Sequence, residues 1–93
     1  MREFFTNQGW SLIENGKKAS KTYNFISFIQ AFAWMTEVAF KAEKIDHHPD
    51  WTNVYNKVNV ILTTHDKNNL TDKDFLLAEV MEKSFEKYRK KNA

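Results

Sequence analysis

"WTNVYNKVNVILTTHD", residues 51 to 66, is the stretch whose reading decides the fold. It is crowded with β-branched and aromatic residues, and Val58, Val60 and Leu62 alternate with Asn59, Ile61 and Thr63. Successive side chains on an extended strand point to opposite faces, so this alternation predicts a strand with its more apolar face inward. Asn56 and Lys57 supply a candidate two-residue turn that splits the stretch into a hairpin, because Asn tolerates positive φ.

The elements on either side carry their own punctuation. Upstream, Pro49 in "DHHPD" ends any helix and pushes His48 toward extended backbone. Before that loop, Ser27 and Gln30 make a capping box that opens a helix running to about Lys44. Phe28, Phe32, Met35, Ala39 and Ala42 are its expected buried stripe, three and four apart. Further upstream, the Asn-Gly of "ENGK" (Glu14 to Lys17) lies between "WSLI" and "ASKTYNF" and predicts a first hairpin. Downstream, Thr71 is the N-cap of a last helix, with Asp74 at its third position and Leu70 stapled to Phe75. Ala78, Met81, Phe85 and Tyr88 form its buried stripe, and the basic run Lys87 to Lys91 closes it against the helix dipole. The expectation is an α+β fold of order β-β-α-β-β-α: one domain over residues 1–93, with helices on one face of a four-stranded antiparallel sheet.

Composition narrows the function. Aromatic residues make up 15% of 93 residues, enough to fill one small core, and the formal net charge is +2. Charges of both signs are interspersed, which argues against nucleic acid as a partner. The absence of cysteine excludes disulfides, thiolate nucleophiles and Cys-based zinc sites. No leader-like apolar stretch opens the chain and no run reaches the roughly 18 apolar residues of a membrane span, so a cytoplasmic protein without a membrane partner is expected.

The chemistry concentrates in "IDHHPDW", residues 45 to 51. Histidine is the side chain that both gives and takes a proton near neutral pH. Adjacent imidazoles seldom converge on one ion, and the helical His-x3-His spacing is absent, so metal ligation is disfavoured. Three features argue against an idle solvated turn. Pro49 stiffens the loop, Trp51 offers a flat apolar wall, and His65 ends a strand that the hairpin can return toward the loop. His47, His48 and His65 around an aromatic wall make a candidate acid–base site for a flat heterocycle.

"AEKIDHHPDWTNVYNKVNVILTTHDKNNLTDKD", residues 42 to 74, resembles the signature of the pterin-4a-carbinolamine dehydratase family. It has the His-His-Pro triplet, the aromatic positions after it, a histidine ending the strand and an aspartate opening the next helix. The similarity continues upstream through "FIQAFAWMTEVAFKAEK" and "GWSLIENGKKASKTYNF". Two positions depart from animal members. Only nine residues precede Trp10, so their N-terminal helix is short or absent here, and Asn69 replaces a glycine.

The resemblance implies a hydro-lyase, 4a-hydroxytetrahydrobiopterin dehydratase, which eliminates water to give quinonoid dihydropterin in tetrahydrobiopterin recycling. It implies His47, His48 and His65 as catalytic residues, and Trp51, Asp46, Thr63, Thr64 and Asp74 as substrate-binding candidates. For Asp74, a first-turn carboxylate that merely caps the helix is an equally good reading. The substrate is a small-molecule pterin, and no cofactor or metal is required. The alternative implied by animal members is a protein-binding module, a transcriptional dimerisation cofactor using the helical surface.

The first helix also bears on assembly. Gln30, Glu37, Lys41 and Lys44 form one polar stripe with Trp34 in its middle, while Ile29, Phe32, Ala33, Val38 and Phe40 leave the rest mostly apolar. That arc is wider than one sheet contact requires. The expectation is a homo-oligomer, a tetramer built as a dimer of dimers, with Trp34 buried between helices of different subunits.

Overall fold

The computed structural model describes residues 1–92. Its elements are α1 (Arg2–Asn7), β1 (Ser11–Ile13), β2 (Lys18–Asn24), α2 (Phe28–Ile45), β3 (Asp50–Val54), β4 (Lys57–Leu62) and α3 (Asp72–Asn92), with a 3-10 turn at His65–Lys67 before α3. The four strands form one antiparallel sheet in the order β1-β2-β4-β3. This is the expected β-β-α-β-β-α order with a six-residue helix added at the start. Among the described residues no helix is long and apolar enough to cross a membrane.

Alternation on β4 sets the two faces of the sheet. Val58, Val60 and Leu62 are buried, and they face Tyr23, Trp51 and Ala19 on the neighbouring strands. On the opposite face Thr22 bonds Asn59 across the β2–β4 pair. The first hairpin turns through Glu14–Lys17, with Glu14, Asn15 and Gly16 all at positive φ (50°, 59° and 79°). Asn and Gly suit that conformation because it costs them little. The second hairpin turns one residue earlier than expected, because Val54 pairs with Lys57 and leaves Tyr55 and Asn56 at the tip. Side-chain bonds decide that register. Asn53 donates to the carbonyls of Tyr55 and Lys57, and Asn56 donates to the Phe25 carbonyl at the end of β2.

α2 begins where expected, with Ser27 Oγ accepting the Gln30 N–H (3.1 Å). Its rotation differs from the expectation. Ala31, Trp34, Val38 and Ala42 are buried, whereas Phe28, Phe32 and Ala39 are exposed. Trp34 therefore belongs to the subunit's own core rather than to an interface. Its ring packs on Tyr23 and Phe25, and its Nε1–H donates to the Met81 carbonyl of α3 (3.1 Å). A tryptophan is fully buried readily when its one polar atom finds an acceptor.

α3 buries Leu77, Ala78, Met81 and Tyr88 against α2 and the sheet. Part of the basic run does more than complement the dipole: Lys87 bridges to Glu37 of α2 (2.6 Å), and Tyr88 donates to the same carboxylate. The side chains of Lys90 and Lys91 lie outside the described residues.

A buried polar knot that the sequence did not announce joins three elements. Glu82 of α3 accepts from the Tyr23 hydroxyl and from Lys21 Nζ (2.6 Å), and Lys21 also donates to the Gln8 carbonyl after α1 (2.6 Å). Burial, then the Glu82 bond, pushes the Tyr23 hydroxyl far above its ordinary pKa. A raised folded-state value makes this contribution to stability complete below the unfolded tyrosine's value of about 10, and it is lost as pH climbs beyond that. Stability measured by denaturant titration falls above about pH 10, and Tyr23→Phe flattens that fall. An identical alkaline slope in the variant would refute the assignment.

Candidate active site

The site is assembled at the C-terminal end of α2 and the start of α3. Asp46 caps α2 in left-handed conformation (φ 53°, ψ 44°), and the N–H groups of Asp46 and His47 bond the carbonyls of Glu43 and Ala42. That turn throws His47 and His48 off the helix, and Pro49 leads the chain into β3. From the other side, β4 ends at Leu62 and delivers Thr63, Thr64 and His65 to the same place. The result is an open cleft of about 270 Å³ lined by His47, His48 and His65, together with Asp46, Thr63 and Thr64. Asp66 and Lys73, which the sequence did not single out, complete the lining.

His47 is the best-anchored of the three. Its Nε2 lies 2.6 Å from Oδ1 of Asp74, which is wholly buried. The other oxygen of Asp74 accepts the Thr71 N–H (2.9 Å) and the Thr64 hydroxyl (2.7 Å). The two readings of Asp74 are thus compatible, since one oxygen caps α3 and the other holds the imidazole. The Thr71 hydroxyl is turned to Thr64 rather than to the helix (2.7 Å). A carboxylate at Nε2 assigns the proton to that nitrogen and leaves Nδ1 for proton transfer.

His48 also has a carboxylate partner, Glu43 Oε1 at 2.6 Å, but both side chains are mostly exposed. Such a pair contributes little to stability and serves to orient the ring. Glu43 was missed in the sequence, where its place in the last turn of α2, five positions before His48, was the available signal. His65 opens the 3-10 turn.

The remaining sequence candidates divide. The Thr63 hydroxyl is engaged by the Lys17 carbonyl (2.9 Å), and that of Thr64 by Asp74, so both hydroxyls act within the protein. Trp51 does not line the cleft. Pairing opposite Val60 turns it to the core face, its ring centre 6.0 Å from that of Trp34. Among the described residues no three His, Asp or Glu side chains are grouped to hold a metal ion.

Asp74→Asn tests the double role. The amide keeps one acceptor but loses the charge that pairs with His47 and faces the helix N-terminus, at a cost of about 1–2 kcal/mol. We expect a lowered thermal midpoint together with a roughly tenfold or larger loss of turnover. Stability loss with full activity would leave Asp74 as a cap alone.

A family model described as "Pterin 4 alpha carbinolamine dehydratase" matches residues 1–84. A protein of Rhizobium leguminosarum bv. trifolii named "Putative pterin-4-alpha-carbinolamine dehydratase" is 51% identical over 76 residues, covering 82% of this chain and 75% of its own. One of the same name from Sinorhizobium medicae is 53% identical over 79 residues, covering 85% and 75%. A crystal structure titled "transcriptional coactivator/pterin dehydratase", from Brucella melitensis, superposes with a TM-score of 0.82 at 34% identity, over 89% of this chain and 90% of that one.

Proposed function

The chain belongs to the pterin 4 alpha carbinolamine dehydratase family, and from that premise we propose that it is a hydro-lyase acting on 4a-hydroxytetrahydrobiopterin. The observation that carries the reading is the convergence of His47, His48 and His65 on one cleft, with His47 fixed by a buried carboxylate. Hydroxide is a poor leaving group, so one imidazolium gives its proton to the C4a hydroxyl as the C–O bond breaks. The N5 lone pair expels the water and becomes the N5–C4a iminium. A second, neutral imidazole takes the proton that the iminium sheds, giving quinonoid dihydropterin. One proton given, one taken and one water lost close the balance. Each proton transfer is typically worth about 10²–10⁴ in rate. The chain's own residues supply both groups, and no cofactor enters. The substrate dehydrates slowly unaided, so the test is the rate with protein over that background. A ratio of one would sink the proposal.

The same family reading includes a homo-oligomer, a dimer of dimers. With Trp34 inside the core, the surface that supports it is the outward face of α2, where Phe28, Ile29, Phe32 and Phe40 are exposed. That stretch is too apolar for a face turned permanently to water. Light scattering is expected to give a multiple of the subunit mass, and Phe32→Glu a smaller one. A wild-type monomer at micromolar concentration refutes it. The exposed face also supports the second reading, a protein-binding module, and the Brucella title pairs the two roles in a relative. Activity that survives in Phe32→Glu would separate catalysis from that surface.

A further inference from the structure

The seam between α2 and α3 is closed at one end and open at the other. Toward the C-terminus of α3 it is tied by Glu37, which takes both Lys87 and Tyr88. Toward the N-terminus of α3 it opens into a groove of about 300 Å³, larger than the histidine cleft. The floor is apolar: Ile45 from the end of α2, and Leu76 and Val80 one turn apart on α3. The rim is cationic. Lys41 and Lys44 stand on the α2 side and Lys83 on the α3 side, against one carboxylate, Glu79. Among the described residues none of these three ammonium groups has a hydrogen-bond or ion-pair partner, so all three charges are available at the rim.

An apolar floor rimmed by unpartnered cations of one sign is a shape and a charge pattern awaiting a complement. We propose that this groove docks an acidic amphipathic helix of a partner protein, laying two apolar side chains on Leu76 and Val80 and carboxylates on Lys41, Lys44 and Lys83. The groove runs from Leu76 to Lys83, about 10 Å along α3, which is two helical turns. Apolar anchors four residues apart on a helix match that length and the floor's own spacing. The open side, rather than an enclosed cavity, suits a helix laid lengthwise over it. Its lining is close in sequence to that of the histidine cleft. Ile45 immediately precedes Asp46, and Leu76 lies two residues after the Asp74 that holds His47.

The probe is a synthetic alanine-based helix of about four turns, with two Leu four apart flanked by Glu, and a twin with every Glu made Lys. Fluorescence anisotropy is expected to show binding of the acidic peptide that weakens as salt is raised, with the basic twin at least about tenfold weaker. Lys44→Glu combined with Lys83→Glu reverses that preference, and Leu76→Gln, at a half-exposed site, weakens the acidic peptide without altering charge. Lys18→Glu, remote from the groove, changes nothing. Equal binding of both peptides, or indifference to the double variant, overturns the proposal. So does binding to phosphatidylglycerol vesicles without binding to the peptide, which would make the surface a membrane patch. A change in the chain's own oligomeric mass in the double variant would assign the groove to a second copy and overturn it likewise.

Discussion

His47→Ala and His48→Ala are each expected to lower the proposed dehydration of the 4a-hydroxypterin by about 100-fold or more, the scale of one lost general acid or base. Their stabilities diverge, and the divergence comes from the two carboxylates. His48 pairs with Glu43 on the surface, so removing it leaves the Glu43 carboxylate in water and the thermal midpoint is expected to stay unmoved. His47 pairs with Asp74, which has no exposure at all. Removing the imidazole strands one carboxylate oxygen in the interior, at a cost of about 1–3 kcal/mol. A loop histidine would be expected from sequence to be thermally silent, and His47 is not one. The check is a stopped-flow rate beside a melting curve for each variant. Wild-type turnover in both variants would remove the acid–base assignment, and equal midpoints would remove the argument from Asp74.

What was legible in the sequence follows a physical rule. β4 was readable because polar Asn59 sits between Val58 and Val60, both buried, which marks a period of two. The start of α2 was readable because capping is local, Ser27 and Gln30 being three residues apart. The convergence of the histidines was readable in outline, because a hairpin returns His65 toward the loop that holds His47 and His48. Contacts between distant residues were not. Asp74 reaches His47 across 27 positions, and in the sequence a carboxylate at the third helical position already has a sufficient explanation as a cap. Glu82 is likewise one of many acidic residues on α3 until Tyr23 and Lys21, some 60 positions away, are brought to it. The second turn lies one residue from its expected place because φ tolerance is local, whereas the bonds that Asn53 and Asn56 make depend on the folded hairpin.

Trp34→Ala is expected to cost about 3–5 kcal/mol, the range for deleting a fully buried large aromatic side chain. Trp34 is the largest wholly buried side chain among the described residues, and its loss also removes the bond that its Nε1–H donates to the Met81 carbonyl. In a domain of this size, total stability of about 5–15 kcal/mol leaves little after such a loss. The midpoint should fall by tens of degrees, at about 4–8 °C per kcal/mol. The misreading of this residue explains why the prediction is sharp. In the sequence Trp34 stands among Gln30, Glu37, Lys41 and Lys44, so the pattern turned it outward and put the buried stripe through Phe28 and Phe32. The two stripes make opposite predictions. If α2 is turned as the structure has it, Trp34→Ala unfolds the subunit, whereas Phe32→Ala shifts its midpoint only slightly and acts on association instead. If the helix were turned the other way, Phe32→Ala would be the costly change and Trp34→Ala the tolerated one. Two melting curves decide it. A Trp34→Ala protein that melts within a few degrees of wild type would overturn the packing of α2 and α3 on which the position of the site depends.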